Sequence, residues 1–491
     1  MKFLFLGIYA LLLCAVAFFT RKKNKTSDDF LLGGRKTGAW MSAFAYGTTY
    51  FSAVIFVGYA GNLGWGIGIS TVAIGLGNAF IGSFLAWKVL GKSTAEATRR
   101  LDASTMPEFF AKRFGSNGLK LFSAIIIFVF LVPYSASVYQ GLSYLFESVF
   151  GVPFIYCILG MAVLTGIYLL FGGYLATAVT DFIQGIIMLF GVVLMVIFIL
   201  KNPAVGGLAN GLKQLAGIDP QLASIPTGQS LITLLSVVML TSLGSWAMPQ
   251  MVHKFYAIKD ESALKRGTII STIFALIVGV GAYLSGAFGR LFLANTMPVD
   301  AVTGLANADM IVPNMLIAAL PDILLAIIVL LVLSASMSTL SSLVLVSSSA
   351  IAKDLVKGIF KPDMDDKRVM LLMRLLCVLF VALSVIFSLA QQQAILTLMS
   401  VSWGAIAGAF LGPFLYGVRG KKANAAGAWA GMAGGLATSI LCLLLGLSAA
   451  LGGCIAMVVS LIAVPLVSRL SAVQKVPAPA AAVATEPVKR P

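Results

Sequence analysis

Residues Ser334 to Ser349, SASMSTLSSLVLVSSS, carry nine hydroxyls in sixteen positions, directly after the apolar run LLAIIVLLVL. Hydroxyls in hydrocarbon cost free energy unless they are hydrogen-bonded or put to use. On a helix turning about 100° per residue, Ser338, Thr339, Ser341 and Ser342 fall on one stripe with Ser338 at its centre. Two readings are open. Membrane helices pack through small residues, and Ser and Thr hydroxyls bond back to the carbonyl four residues earlier. A row of neutral oxygens also suits a small, hard cation. Asp181, in GGYLATAVTDFIQG, sharpens the choice. It is expected roughly 12 Å from the inner end of its span, with Ser342 roughly 16 Å from the inner end of its own, so the two can share a level. A carboxylate inside a span is expensive and marks a functional position, although a deep helix cap is the plainer alternative. No Lys or Arg is expected at its depth, which leaves a bound cation as its natural partner.

The elements that hold these residues are membrane helices. Of 491 residues, 59% are hydrophobic and 11% charged, too few charges to keep a soluble surface of this size wet. Thirteen apolar stretches, from 3–20 to 450–468, are each long enough to cross about 30 Å of hydrocarbon. With the N-terminus outside, all of the 34 Lys and Arg except Lys2, Lys201, Lys213 and Arg290 fall on the inner side. That bias predicts a protein of the plasma (inner) membrane, N-terminus outside and C-terminus cytoplasmic. The net charge of +16 is thereby explained without a nucleic-acid partner. Cys14, Cys157, Cys377, Cys442 and Cys454 all lie within spans and suggest neither a disulfide framework nor a metal site.

Two spans carry signs of interruption. The second holds FAYGTTYFSAVIFVGYAGNLGWG, and the seventh ends in TSLGSWAMPQ. Five spans separate their starts, and this odd spacing gives spans 2–6 and 7–11 opposite orientations. Broken helices at matching places in inverted halves point to a transporter binding site, although Gly is also common in tightly packed membrane helices. The chain therefore divides into an extra N-terminal span (1–20), a first repeat (21–200), a second repeat (201–418), two C-terminal spans (419–468) and a Pro/Ala-rich, disordered cytoplasmic tail (469–491). STMPEFFAKRFG (104–115) reads as an inner interfacial helix and NADMIVPNML (307–316) as a short outer one.

DDFLLGGR (28–35), GGYLATAVTDFIQ (172–184) and SASMSTLSSLVLVSSSAIAKDL (334–355), in this order, resemble signatures of the sodium:solute symporter family. The family includes bacterial proline and pantothenate symporters, and the resemblance covers nearly the whole chain. It implies an all-α fold of about thirteen helices with a leucine-transporter-like five-plus-five inverted repeat. It also implies sodium-driven uptake of a small solute by alternating access, through a carrier that is not an enzyme and works as a monomer. Carried over by position, a first sodium site uses the carbonyls of Thr48, Phe51 and Ala335 with the hydroxyls of Ser338 and Thr339. A second, found in some members, uses Asp181, Ser338, Ser341 and Ser342, and its presence here predicts two sodium ions per solute. The solute site is expected at Thr49, Tyr50, Ser52, Gly58, Tyr134, Ser137, Trp246 and Pro249.

Tyr134 matches an aromatic of the proline symporter. That transporter's Asp, Trp and Pro in span 2 are replaced by Tyr50, Val54 and Ala60. The sugar carriers' acid–amide pair falls at Val54 and Ile55, and no mid-span Arg is expected to hold a sialic acid. An amino acid such as proline or a small monocarboxylate is the expected solute, and His253, the single histidine, is expected to be structural. The alternatives are a proton-coupled carrier titrating Asp181, or a sodium symporter for pantothenate or a sugar. A channel is disfavoured because no ring of charge is visible.

Overall fold

In hydrocarbon every backbone N–H and C=O must find a partner within its own segment, so long apolar stretches fold as helices. The computed structural model describes residues 2–20, 26–300, 304–390, 394–420 and 422–471 and has no strand among them, only isolated bridges such as Thr37 to Ile258. The basic residues 21–25 and the tail beyond Ser471 lie outside the described residues. Ten helices among the described residues are long and apolar enough to cross a membrane. Val54–Arg100 counts there as one unit of 47 residues, although it holds parts of two expected spans.

The first helix, α1, is Lys2–Thr20. The second span is broken: α2, Ala39–Tyr50, stops where Phe51 turns extended (φ −106°, ψ 115°), and a wide π-helical turn, Val54–Tyr59, leads into α3, Ala60–Ile67. A short helix, α4 (Met106–Phe114), follows, with Thr105 accepting from the Glu108 amide at its start and left-handed Gly115 at its end. α5 is Asn117–Phe150 and α6 is Phe154–Lys201. Gly173 inside α6 has φ 59° and ψ −172°, a conformation open essentially to glycine alone, so the chain changes direction there and Asp181 lies on the segment that follows.

The seventh span is broken as well. α7, Gly228–Leu243, tightens through Gly244–Ala247 and ends at extended Met248; α8, Pro249–Tyr256, then starts afresh. Proline disfavours the helical conformation in the residue before it and is well placed at the first helical position. Thus a Met-Pro pair makes the break. α9 (Glu261–Ala287), α10 (Asp322–Ser349), α11 (Asp366–Ala390), α12 (Ile395–Arg419), α13 (Ala425–Leu444) and α14 (Ala449–Leu470) complete the bundle.

α10 lies against α2, α5, α6 and α11. The most apolar windows of α10 with its π-helical extension and of α12 are 83% buried, against 39% for α11, α13 and α14, so these two form the centre and the others face lipid. α9 comes so close to the second span that a Cβ on Gly286 would stand 2.1 Å from the Ala60 carbonyl oxygen. Short helices form at both stretches expected at the membrane surface, Met106–Phe114 and Ile311–Ala319.

Candidate functional site

The break in the second span lies against the hydroxyl stripe of α10. Ser338 Oγ is 2.9 Å from the Thr48 carbonyl oxygen and 2.9 Å from that of Ala335. Thr339 Oγ1 is 3.1 Å from the Ala335 oxygen, 3.2 Å from that of Thr49 and 3.4 Å from that of Thr48. Three carbonyls and two hydroxyls therefore converge with only two hydroxyl protons among them. Oxygens outnumber protons, and such a cluster offers lone pairs to a small, hard cation. Four of the five expected donors of the first sodium site are here. Thr49 offers its carbonyl to the Thr339 hydroxyl as well, while Phe51 stands at the break itself.

The surroundings of Asp181 differ from expectation. Lys254, on α8, places Nζ 3.3 Å from Asp181 Oδ2 and donates to Ser342 Oγ at 2.9 Å. Both side chains are buried, at 2% and 0% exposure. The premise that no Lys or Arg reaches the depth of Asp181 is thus overturned. Lys254 follows the Pro249 break in the seventh span, and its long side chain reaches into the bundle. The ammonium also lies 5.5 Å from the centre of the Tyr174 ring. Ser342 Oγ lies 3.1 Å from Thr49 Oγ1 as well, while Ser341 donates back to the Ser338 carbonyl at 2.9 Å. Asp181 Oδ1 is buried and has no hydrogen-bond partner. Two unit charges about 4 Å apart interact by about 4 kcal/mol at an effective dielectric constant of about 20, so a free cation beside this ammonium is repelled on that scale.

The expected solute residues divide into two groups. Tyr50, Ser52 and Tyr134 gather around Trp403 of α12, which the sequence reading missed. Trp403 stacks on Tyr50 at 6.3 Å and meets Tyr134 edge-on at 5.9 Å. The Tyr50 hydroxyl is held by Thr241 O at 2.6 Å and Asn78 Oδ1 at 3.1 Å. Tyr134 Oη lies beside the Ser52 hydroxyl and the Trp403 indole, outside hydrogen-bond geometry with either. Trp403 Nε1 is also buried without a partner. Two unsatisfied polar atoms in one buried aromatic cluster are costly alone and useful to a bound polar molecule.

The remaining expected residues are used elsewhere. Thr49 turns its hydroxyl to Ser342. Gly58 makes room for Ile395, whose Cγ2 would stand 2.5 Å from a Cβ there. Ser137 donates back to Tyr134 O, and Trp246 Nε1 donates to Ile81 O at 2.9 Å. Pro249 lines an inner cavity with His253, Tyr256 and Asp354. His253 packs between the Tyr174 and Tyr256 rings, at 5.6 and 5.7 Å.

Polar contacts lie on either side of this cluster. Tyr59 Oη and Ser400 Oγ are 2.6 Å apart, and Asp309 Oδ2 accepts from the Ile395 amide at 3.0 Å. Towards the other end, Thr105 donates to Asp354 at 2.7 Å, while Lys353 reaches Asp28 at 2.5 Å and Glu108 at 3.8 Å. Burial by itself would raise the Glu108 carboxyl; the Lys353 charge and the bond from Lys112 outweigh it and hold the group at about 2.

The chain matches the sequence model of the sodium:solute symporter family over residues 30–435. It is 31% identical over 455 residues to the osmoregulated proline transporter OpuE of Bacillus subtilis, covering 91% of this chain and 89% of that one. It is 30% identical over 442 residues to a sodium/pantothenate symporter of Haemophilus influenzae, covering 88% and 87%. A solved structure of a Na+-coupled sialic acid symporter, substrate-bound and outward-open, superposes with a TM-score of 0.80 at 20% identity, covering 96% of this chain and 97% of that one. A transporter of the nucleobase-cation-symport-1 family superposes with a TM-score of 0.53 at 13% identity, covering 89% and 94%. Both likenesses concern the fold.

Proposed function

The chain belongs to the sodium:solute symporter family, and on that premise we propose that it imports an amino acid such as proline, or a small monocarboxylate, by alternating access around the two broken spans. The observation that carries this reading is the convergence of the Thr48 and Ala335 carbonyls with the Ser338 and Thr339 hydroxyls at the break in the second span. Sodium binds there, with Phe51 completing the site from the break. The solute occupies the adjoining pocket of Tyr50, Ser52, Tyr134 and Trp403, where the unpartnered Tyr134 hydroxyl and Trp403 indole N–H meet its polar atoms. The pocket is aromatic and carries no charged side chain among these four, which favours a small, partly apolar solute over a sugar. Proton coupling through Asp181 is disfavoured because the carboxylate already has an ammonium partner.

The same reading places thirteen spans in the inner membrane, with the N-terminus outside and the C-terminus cytoplasmic. Spans 2–6 and 7–11 form the repeats, over 21–200 and 201–418, and one chain makes a complete carrier. The test is uptake into proteoliposomes of proline, pantothenate, small monocarboxylates, a hexose and a sialic acid, with and without a sodium gradient. Uptake of proline or a monocarboxylate is expected to require sodium. Thr339→Ala removes a hydroxyl that meets a charged ligand, an interaction of about 1.5–3 kcal/mol, so the half-saturating sodium concentration rises about tenfold or more. Uptake that follows a pH gradient and ignores sodium, or Thr339→Ala leaving sodium dependence unchanged, defeats the reading.

A further inference from the structure

We infer that the Lys254 ammonium is a built-in cation that takes the place of a second transported sodium ion. A sodium ion bound to both Asp181 Oδ2 and Ser342 Oγ would have to occupy the space between them. That space is filled: Nζ is 3.3 Å from the first oxygen and 2.9 Å from the second. Position, charge and partners are those of a bound cation, and the face of the Tyr174 ring, 5.5 Å away, favours positive charge again. The difference from sodium is the tether. Lys254 is covalently part of α8, so it cannot leave towards the cytoplasm, and its charge returns with the protein in every cycle. Only the ion among Thr48, Ala335, Ser338 and Thr339 is then carried across.

In the ion set carried over from the family resemblance, Asp181 with Ser338, Ser341 and Ser342, the Lys254 ammonium stands at both the carboxylate and Ser342. An ordinary buried ion pair would share the 3.3 Å contact. It would not account for Ser342, an oxygen on a third helix, being drawn onto the same ammonium. The unpartnered Asp181 Oδ1 adds that the carboxylate keeps an acceptor free, which a small cation would take up once the ammonium is removed.

The test uses sodium alone, so the solute need not be known. Equilibrium binding of radioactive sodium to the purified full chain in lipid nanodiscs counts sites in the wild type, in Lys254→Met and in Lys254→Met/Asp181→Asn. The expected result is one site in the wild type, two in Lys254→Met and one in the double variant. The inference rests on the sodium-coupled reading of the first site but is measured separately from it. The wild-type count tests that reading, and the increment of one on removing the ammonium tests this one. A wild-type count of two overturns the inference, as does a folded Lys254→Met with no added site, which would leave the pair purely structural. Should Lys254→Met fail to fold, Lys254→Gln, which keeps a neutral donor of similar length, is counted in its place: an added site supports the tethered cation, and a folded variant with no added site overturns it.

Discussion

At the scale of single residues, two oxygen-rich neighbourhoods on α10 do different things. Around Ser338 and Thr339 the partners are backbone carbonyls, neutral acceptors that do not titrate, and the cluster suits a dissociable ion. Four residues along, Ser342 meets an ammonium instead. The aromatic pocket beside them carries a testable asymmetry in Tyr134. Its ring packs edge-on against Trp403, while its hydroxyl is buried and unpartnered. An unsatisfied buried hydroxyl costs about 1–3 kcal/mol, so Tyr134→Phe should leave the melting temperature of the solute-free protein unchanged or higher. If the hydroxyl meets the solute, the same change raises the solute KM several-fold and leaves sodium affinity nearly untouched. Paired uptake and thermal-unfolding measurements check this, and an unaltered KM would remove the hydroxyl from the solute site.

At the scale of elements, the breaks in the second and seventh spans depend on tight seams around them. Gly286 of α9 lies against the Ala60 carbonyl at the start of α3, where an added Cβ would stand 2.1 Å from the oxygen. Neither backbone can yield without disturbing its helix, so Gly286→Ala should destabilise by about 1–3 kcal/mol, seen as a lower melting temperature. A second seam joins α4 to the inner extension of α10 through Glu108 and Lys353. The Glu108 carboxyl is held at about 2 instead of its ordinary 4.5. A depressed carboxyl contributes its stabilisation in full above its unfolded value and loses it as pH falls through the folded one. Thermal stability should therefore drop between about pH 4.5 and 2, and Glu108→Gln should flatten that part of the profile while lowering stability at neutral pH.

At the scale of the whole molecule, the placement of Lys and Arg predicts which side each loop faces. A reporter fused after Arg469 should be active only in the cytoplasm, and one inserted in the 201–227 loop only outside; the opposite pattern would invert the topology. Coupling sets what the carrier can accumulate. One charge moved through 100 mV is worth about 2.3 kcal/mol, or roughly a fifty-fold gradient of a neutral solute before the sodium gradient is added. Two would have given about 4.6 kcal/mol and roughly 2,000-fold. The tethered ammonium thus lowers the limiting gradient and also lowers the number of ions spent on each solute.

Much of the architecture was legible in the sequence because it is written in local patterns. Long apolar runs favour helices in hydrocarbon, the glycine and proline of TSLGSWAMPQ favour a break, and a stripe of hydroxyls is costly against lipid. The oxygens around Ser338 and Thr339 were named through the family resemblance, and the end of α2 at Tyr50 brings the Thr48 and Thr49 carbonyls to them. Trp403 was not legible, because an aromatic in an apolar span carries no local sign of what it will face. Gly58, Ser137 and Trp246 were assigned to the solute by position, and the rotation of each helix turned them to other neighbours. Lys254 was counted among the charges at the inner flank of the seventh span. Its place after a helix-starting proline was a signal that the span continued past the break and could carry the charge inward. Its partners are 73 and 88 residues away in the chain, and only the packing of α6, α8 and α10 brings them within reach. A side chain of four methylenes can carry its charge either to water or into the bundle, and the choice depends on whether a carboxylate from another helix waits at the far end.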